Sequence, residues 1–580
     1  MPSHPITRPR AVLCRACAGV LVLSLGAVAL RGAPKPITVE RLNNADQDRD
    51  NWLVYGGTYR SLRYSPLDQI TPANVGRLSA AWAFQLGVID HGLQSTPLVA
   101  DGVMYLIGSD HRLVALEAAT GKVIWRYVYE RNAPPAGAKP ASGPVETVRG
   151  VALGHGHVYF GTDDNFVVAV DAATGTEAWR TNVEDKDIYG CSMRAAPLVV
   201  NDIVVVGSRG GDSAHRGHLV AFDGKTGKQR WWFNVIPGPG EKGNETWEGD
   251  SWKYGGGAPW LTGSYDPALD LIYWGTSNTS SDFYGGHRKG DNLYTNSIVA
   301  LRAKTGELAW HFQTVPHDVW DYDAAYEIML IDRPVNGKPR QLLIQPNKNG
   351  FVYVLDRTNG TYITGFKYAD NVTWTSGLDA KGVPQGRREP ESEKPTHICP
   401  NFFGSRSWNQ ATFNRKTGLL YNIAIEWCGE FTGRSQPMVP GRPWLGGSIK
   451  VVPPPSGKVT SHLDAFEPLT GKRVWRVETK HPLLAALMST GGELLFAGDP
   501  EGHFSAYRAQ TGEKLWSFNT GSGHRGGPIS YAVNGKQYIA TPSGWGSTVA
   551  GRLGEFFPEL QAVQRGATVF AFALPEAKGR

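Results

Sequence analysis

A short pattern of apolar and polar residues recurs along the chain. Each copy has an apolar run, a polar turn that usually contains Thr-Gly, and a second run ending on tryptophan, as in "ALEAATGKVIW", which ends at Trp125. Glycine adopts positive φ at little cost, so each copy predicts two strands joined by a tight turn, with the indole buried. Further copies end at Trp179, Trp231, Trp310, Trp475 and Trp516, and a degenerate copy, "VLDRTNGTYIT", ends at Thr364.

The number of copies predicts the architecture. A unit of four short strands cannot cover its own faces, so the copies must stack around an axis, which also protects strand edges. The seven readable copies and the variant "FNRKTGLLYNIA" (residues 413–424) make eight units. We therefore expect an all-β fold, an eight-bladed β-propeller with tryptophan-docking repeats, as a single domain over residues 34–580. An open solenoid is the alternative for a repeated chain.

The first 33 residues follow a different pattern. Arginines come first, residues 16–30 carry no charge, and "AVALRGA" offers small residues for cleavage near Ala29 or Ala33. A positive end, a short apolar run and a site of small residues predict an export signal over residues 1–33, and hence a periplasmic protein. The alternative is an uncleaved membrane anchor.

Charge and cysteine content narrow the function classes. The net charge of +6 falls to +2 without the leader, which holds four arginines and no acid, so no nucleic acid or other polyanionic partner is expected. Cys14 and Cys17 form C-x-x-C, but Ala18 follows instead of the histidine that covalent c-type haem needs. Cys191, Cys399 and Cys428 remain, enough for one disulfide in an oxidising compartment.

An acidic segment interrupts the repeats. "PHDVWDYDAAYE" (residues 316–327) holds Asp318, Asp321 and Asp323. Residues two apart in an extended segment face the same side, and neighbouring carboxylates repel each other unless a cation or a shared proton compensates. Taken alone, the segment is read as a solvated turn, and a cation site or a proton shared between two carboxylates are the alternatives.

Longer motifs resemble a known family. The tryptophan repeats, "TWEGDSWKYGGGAPW" (residues 246–260), "PHDVWDYD" and "QPNKNGFVYVLDRTNG" (residues 345–360) resemble the pyrroloquinoline quinone (PQQ)-dependent alcohol dehydrogenases, of the methanol/ethanol dehydrogenase type. The resemblance runs over residues 51–546. It implies an eight-bladed propeller that holds PQQ and a divalent or trivalent metal ion at its axis.

The resemblance also implies residue roles. Asp321 matches the catalytic base, which takes the hydroxyl proton while hydride passes to the quinone. Asp212, Asn278 and Asp321 match metal ligands, although Asp212 is one methylene shorter than the glutamate that is usual there. The remaining matches contact the cofactor: Trp260 beneath its ring, Lys348 near the quinone oxygens, Arg149 at a carboxylate, and Gln94 as a hydrogen-bonding side chain.

Departures from the family pattern fall around the cofactor. Gly143-Pro144 stands where many relatives have two adjacent cysteines, and Arg194, where a threonine is usual, adds a cation near the PQQ carboxylates. Ile425 or Glu426 replaces an asparagine, and Leu484 occupies a position often held by tryptophan. Cys399 and Cys428 lie in segments that match paired cysteines of the family, which implies a disulfide between them.

Asp323 bears on the choice of metal. Lanthanide-using members resemble "WDYD" in having an acid two residues after the base, and a trivalent ion attracts one more carboxylate strongly enough to offset repulsion between the acids. We therefore expect Asp323 to be a further ligand and the ion to be a lanthanide(III), with Ca²⁺ as the alternative, since calcium-using sugar oxidisers also carry an acid there.

The sequence thus predicts a periplasmic PQQ-dependent dehydrogenase that oxidises an alcohol or a sugar-like polyol. Electrons would pass to a separate cytochrome c or to a membrane quinone. The sequence leaves open whether the protein forms a homodimer. The alternatives are a PQQ-dependent sugar dehydrogenase and a non-catalytic propeller that serves as a binding scaffold.

Overall fold

The computed structural model describes residues 37–87, 91–131, 147–183 and 192–576. The leader, Gly143-Pro144 and Cys191 lie outside these residues. Strands make up most of the structure, since β-branched and aromatic residues in short runs alternate with Gly-containing turns. The all-β prediction is confirmed.

Eight antiparallel sheets follow one another along the chain. We name them sheets A to H in order of their first internal strand. Sheet A consists of Leu98–Ala100, Val103–Ile107, Arg112–Glu117 and Val123–Val128, and sheet B of Ala152–Gly154, His157–Gly161, Phe166–Asp171 and Glu177–Asn182. Sheet C consists of Leu198–Val200, Ile203–Gly207, His218–Asp223 and Gln229–Asn234, and sheet D of Ser264–Asp266, Leu271–Gly275, Ser297–Arg302 and Leu308–Gln313.

The second half of the chain forms the other four. Sheet E consists of Met329–Val335, Lys338–Pro346, Phe351–Asp356 and Tyr362–Lys367, and sheet F of Thr412–Asn414, Leu419–Glu426, Thr460–Phe466 and Arg473–Thr479. Sheet G consists of Met488–Thr490, Leu494–Gly498, His503–Arg508 and Lys514–Asn519, and sheet H of Ile529–Val533, Lys536–Ser543, Thr568–Ala573 and the early strand Ser79–Gln85. The pairing of Ser79–Gln85 with Thr568–Ala573 ties the two ends of the chain together. Tyr64–Ser65 adds a parallel strand to sheet G.

In the described residues, indoles make seven of the eight contacts from one sheet to the next. Trp125 of sheet A donates its Nε1–H to the carbonyl of Ala172 in sheet B at 3.1 Å. Its ring lies against Gly175, where φ is +75° and a Cβ atom would come within 2.7 Å of the indole. Glycine is required at this turn because any side chain would displace the ring. Equivalent bonds join Trp82 to Ala118, Trp179 to Gly224, Trp231 to Ala303, Trp310 to Arg357, Trp475 to Ala509 and Trp516 to Leu78.

The degenerate copy explains the remaining contact. Sheet E has no tryptophan at this place, and Phe366 packs against Gly471 of sheet F instead. Because Trp82 of sheet H contacts sheet A, the contacts return to their starting point. Burial follows the same plan: Val103–Ile107 is wholly buried, whereas the fourth strand of sheet A, Val123–Val128, is largely exposed.

Smaller elements complete the chain. A three-stranded sheet contains Thr396–Ile398, Cys428–Gly433 and Gly447–Val452, and a two-stranded one contains Gly377–Leu378 and Pro384–Gln385. The α-helices are Val39–Asn43 and Thr548–Phe556, and the 3₁₀ helices are Ala45–Gln47, Val75–Arg77, Asn244–Thr246, Ser251–Tyr254 and Pro558–Ala562. In the part of the chain that the structure describes, no helix has the length and apolar character needed to cross a membrane. Cys399 and Cys428 form the predicted disulfide, with Cα atoms 4.2 Å apart.

Candidate active site

Asp318 organises the acidic loop between sheets D and E. Its fully buried carboxylate accepts hydrogen bonds from the backbone N–H groups of Trp320 (3.2 Å) and Tyr322 (3.1 Å). Arg288 lies beneath and donates to the Asp318 carbonyl oxygen at 2.6 Å. Burial raises the pKa of Asp318 to about 6, although these hydrogen bonds and Arg288 act in the opposite direction. This aspartate therefore holds the loop in shape.

The other two aspartates of the loop converge on one lysine. The Lys348 Nζ atom lies 2.8 Å from Asp321 Oδ1 and 2.7 Å from Asp323 Oδ2, and all three side chains are buried. Asp321 has a φ of +64°, a left-handed conformation that aspartate adopts more readily than most residues. This turn of the backbone separates Asp321 from Asp318 and directs it toward Lys348.

One ammonium group serves several acids here. Burial raises the pKa of Asp321 well above its usual range; Lys348 lowers it, while Asp323 and Asp212 raise it further. Burial also acts to lower the pKa of Lys348, but Asp321 and Asp323 outweigh it and the pKa rises well above the ordinary value. Lys348 therefore stays charged, and the surrounding acids hold more negative charge than it can balance.

Asp323 is the centre of the polar contacts. Its Oδ1 atom accepts from the indole Nε1–H of Trp260 at 3.1 Å and from the backbone N–H of Asn278 at 3.2 Å. Its other oxygen accepts from Lys348. The structure thus brings together three residues that are distant in sequence, on the loops of three neighbouring sheets.

Asn278 presents an oxygen without a partner. Its fully buried side chain donates from Nδ2 to Asp282 Oδ1 at 2.9 Å, while Oδ1 has no hydrogen-bond partner among the described residues. Gly211 makes room for this oxygen, because a Cβ atom there would lie 2.4 Å from it. A buried amide oxygen left unpaired costs free energy unless a ligand compensates.

Asp212 lies next to this oxygen in the same loop as Gly211. Its side chain is exposed, whereas Asp282, Asp318, Asp321 and Asp323 are buried. Desolvation and Asp323 raise the pKa of Asp212, although Lys348, Arg209 and a hydrogen bond from Asn278 act in the opposite direction. Its backbone carbonyl accepts from the N–H of Trp444 at 2.9 Å. We call the five aspartates of this region the acidic pole; they are Asp212, Asp282, Asp318, Asp321 and Asp323.

Arginines gather on the other side of Trp260. The guanidinium of Arg149 lies 4.8 Å from the ring centre of Trp260 and 4.5 Å from that of Trp408. It also donates to the Trp260 carbonyl at 3.1 Å. Arg525 stands 5.6 Å from the Trp408 ring centre. Burial lowers the pKa of Arg149 to about 10 and that of Arg525 to about 9.

Arg194 joins this group. It is buried and donates to Thr147 Oγ1 at 3.2 Å. Burial lowers its pKa well below the ordinary value, and the neighbouring cations Arg209 and Arg149 lower it further. We call Arg149, Arg194 and Arg525 the arginine pole. Within the described residues, the Nε atom of each is buried without a hydrogen-bond partner, so the group has donors available for an anion.

Comparison with known proteins identifies the family. Residues 52–371 and 455–539 match the family model "PQQ: Glucose/ethanol/alcohol dehydrogenase, beta-propeller domain". The chain is 36% identical over 581 residues to the quinoprotein alcohol dehydrogenase PedH of Pseudomonas putida, an alignment that covers 96% of each chain. The protein belongs to the PQQ-dependent alcohol dehydrogenase family.

Solved structures of quinoproteins agree. The quinohemoprotein alcohol dehydrogenase ADHIIG of Pseudomonas putida superimposes with a TM-score of 0.87 and 35% identity, over 95% of this chain and 84% of that one. A europium-containing methanol dehydrogenase gives a TM-score of 0.85 and 30% identity, over 92% of this chain and 100% of that one. The predictions of a β-propeller and of a PQQ-dependent alcohol dehydrogenase are confirmed.

The residues present fit the quinoprotein cofactors. Excess carboxylates and the unpaired Asn278 Oδ1 form an oxygen-rich donor set, which suits a hard cation. The arginine pole and the face of Trp260 suit a flat polyanion, and PQQ is a tricarboxylate with fused rings. The acidic pole thus has the chemistry expected of a cation site and the arginine pole that of an anion site, and both contact Trp260.

Most predicted site residues belong to the two poles or contact them, whereas the Gln94 side chain is hydrogen-bonded within its own segment. Asp212, Asn278, Asp321, Asp323, Lys348, Trp260, Arg149 and Arg194 belong to the two poles or contact them. Gln94 is buried, and its amide donates to the carbonyl of His91 in its own segment at 3.2 Å. In the described residues, no hydrogen bond ties the Gln94 side chain to either pole.

The sequence did not point to three residues of the site. Asp282 follows Asn278 by four residues in "SNTSSDF", so its nearness could have been suspected. Trp408 and Arg525 belong to "SRSWNQ" and "GHRGGP", and only the fold brings them to Arg149. The replaced positions lie as follows: Ile425 and Leu484 are buried in one apolar cluster, whereas Glu426 binds the backbone of Asp370 and Asn371.

Proposed function

We propose that this enzyme works in the periplasm as an eight-bladed quinoprotein, in which sheets A to H are the blades. The ring of indole contacts supports eight blades, and the leader pattern supports export. Its substrate is a primary alcohol or a sugar-like polyol, and its electrons pass to a separate cytochrome c or a membrane quinone. The observation that carries the site assignment is the convergence of Asp321, Asp323 and Lys348 beside the unpaired oxygen of Asn278.

Asp321 is proposed as the base. Burial raises the pKa of its carboxyl, and a carboxylate with a raised pKa is a stronger proton acceptor than an exposed aspartate. Lys348 donates to Asp321 Oδ1 and leaves Oδ2 for the substrate hydroxyl. PQQ and the metal ion, when bound here, would supply a hydride acceptor and a Lewis acid respectively. Trp260, Arg149, Arg194 and Gln94 hold the cofactor in this proposal.

The proposed metal ligands are Asp212, Asn278, Asp321 and Asp323, and the proposed ion is a lanthanide(III). The argument is the charge of the acidic pole: a trivalent ion offsets the repulsion between buried carboxylates better than Ca²⁺ does. The europium-containing methanol dehydrogenase to which the chain is similar supports this choice. Ca²⁺ is the competing ion.

Reconstitution tests both the reaction and the metal. Purified apoprotein is supplied with PQQ and either La³⁺ or Ca²⁺, and dye reduction is followed across primary alcohols and polyols. We expect alcohol-dependent reduction that is faster with La³⁺, and a reversed preference in Asp323→Ala. The matched control is Asp291→Ala, which removes an exposed aspartate of the preceding loop and should keep the wild-type preference. No alcohol-dependent reduction with either ion would refute the proposed reaction, and equal rates that Asp323→Ala leaves unchanged would refute the lanthanide.

A further inference from the structure

Asp282 stands behind one of the proposed metal ligands. It follows Asn278 in a bend after the second strand of sheet D, and it is 2% exposed. Its Oδ1 atom accepts the Nδ2–H of Asn278 at 2.9 Å.

This contact decides which end of the amide faces the acidic pole. A side-chain amide has a donor end and an acceptor end of nearly the same shape, so neighbouring groups determine its orientation. Asp282 accepts from the donor end, and the acceptor oxygen therefore lies toward Gly211. Since that oxygen is buried and has no partner in the described part of the chain, the orientation is favourable only if a cation faces it.

Asp212 also accepts a hydrogen bond from the Asn278 amide. Without Asp282, Asp212 would be left as the acidic acceptor that sets the orientation of the amide, and its NH₂ group could turn fully toward that carboxylate. A donor would then occupy the position where a cation needs a ligand. The residue behind the amide thus acts on the metal site without touching the ion.

We propose that Asp282 is a positioning residue that orients the Asn278 amide so that its oxygen binds the metal ion. The inference rests on the proposed role of Asn278 as a ligand. Partners that orient metal ligands typically change metal affinity by about 10- to 100-fold when they are removed. Asp282 therefore contributes to metal affinity through geometry.

The test is the dissociation constant of La³⁺ for the PQQ-loaded protein, measured by isothermal titration calorimetry. Asp282→Leu removes the acceptor and should weaken binding about 10- to 100-fold. Asp282→Asn is the matched control, since its Oδ1 still accepts from Asn278 although the charge is lost, and it should stay within about threefold of the wild type. Asp282→Ala replaces the leucine variant if that variant does not fold, as judged by its thermal unfolding.

A rescue variant separates orientation from a general structural effect. Asn278→Asp offers an oxygen in either orientation, so combining it with Asp282→Leu should restore La³⁺ binding about tenfold relative to Asp282→Leu alone. Wild-type affinity in Asp282→Leu, equal losses in Asp282→Leu and Asp282→Asn, or failure of the rescue would overturn the positioning role. Absence of La³⁺ binding in the wild type would instead overturn the metal assignment on which the role rests.

Discussion

Two regions of this protein, each with a cluster of charged side chains, differ in how fully those side chains are paired with one another. In sheet F, His462 lies between two carboxylates, with Nε2 3.1 Å from Glu426 Oε1 and Nδ1 2.7 Å from Asp464 Oδ2. Arg476 bridges Asp464 at 2.8 Å and Asp370 at 2.5 Å. Arg473 lies 3.2 Å from Asp370 Oδ1, so three carboxylates face three cationic side chains. We call these six residues the balanced network. Burial acts against its charges, yet the partners outweigh burial: the pKa of Glu426 is lowered, and that of His462 rises to about 9.

In the acidic pole, by contrast, the pKa values of most carboxyl groups are raised. Burial raises the pKa values of Asp212, Asp282, Asp318 and Asp321, and neighbouring acids raise three of these further. Buried charges are normally retained only when they are paired, because desolvation is costly. The balanced network meets that condition with its own side chains. The acidic pole has Lys348 beside Asp321 and Asp323 and Arg288 beside Asp318, which leaves more acids than these two cations can pair. A bound cation would meet the condition for the rest, as our proposal for this site requires.

Replacing the proposed base should have the largest effect. Asp321→Asn removes the proton acceptor while keeping the shape of the side chain, so PQQ should still bind, and turnover should fall about 10²- to 10⁴-fold. Cofactor absorbance and dye-linked rate on the same sample check this. A matched change in the balanced network, Asp464→Asn, should leave the turnover per folded molecule unchanged. Near-wild-type turnover in Asp321→Asn would remove the base assignment.

The disulfide connects the two regions. Cys428 follows Glu426 closely, and Cys399 precedes Pro400, whose carbonyl accepts from Tyr322 in the acidic loop at 2.6 Å. The two cysteines are 29 residues apart, so the loop-entropy model gives a contribution of about 3–4 kcal/mol. The double variant with both cysteines changed to serine should lose this amount in denaturant unfolding. Unchanged stability, or recovery of both residues as free thiols by peptide mapping, would contradict this account.

The sequence predicted the repeats well because each copy contains the residues that determine its local structure: a strand, a glycine turn and an indole. The degenerate copy needed the structure, because Phe366, two residues after the expected position at Thr364, takes the place of the indole. Within the site, "WDYD" indicated a cation through the nearness of its aspartates. Asp282, Trp408 and Arg525 depend on contacts between distant loops, and the role of Asp318 as a loop support depends on backbone hydrogen bonds that no pattern encodes.

The balanced network should show its own dependence on pH. The pKa of His462 rises from 6.5 to about 9 in the folded protein, so its stabilising effect is complete below pH 6.5 and is lost as the pH rises through about 9. His462→Gln should therefore lower the free energy of unfolding by roughly 2–3 kcal/mol at pH 6, with a smaller deficit at pH 9.5. Urea unfolding at both values measures this, and a deficit that does not vary with pH would show that His462 is not charged.

The smallest predicted effect is a change in the free energy of unfolding of the apoprotein, and it should have opposite signs in the two regions. Neutralising one acid of an over-supplied cluster relieves repulsion, so Asp321→Asn should stabilise the apoprotein by roughly 1 kcal/mol. Asp464→Asn leaves His462 and Arg476 with one acid fewer and should destabilise it. Urea unfolding of both variants without PQQ or metal gives the comparison. Destabilisation by Asp321→Asn would mean that the acidic pole is balanced by the chain itself.

The most direct test of the account is the thermal unfolding of the apoprotein with PQQ alone, with La³⁺ alone, and with both. The acidic and arginine poles meet at Trp260, so each ligand completes the site for the other, and binding to the folded state alone raises the unfolding temperature. With both ligands present, the unfolding temperature should rise by more than the sum of the rises that the two ligands produce separately. An unfolding temperature that does not change when both are present would contradict the account.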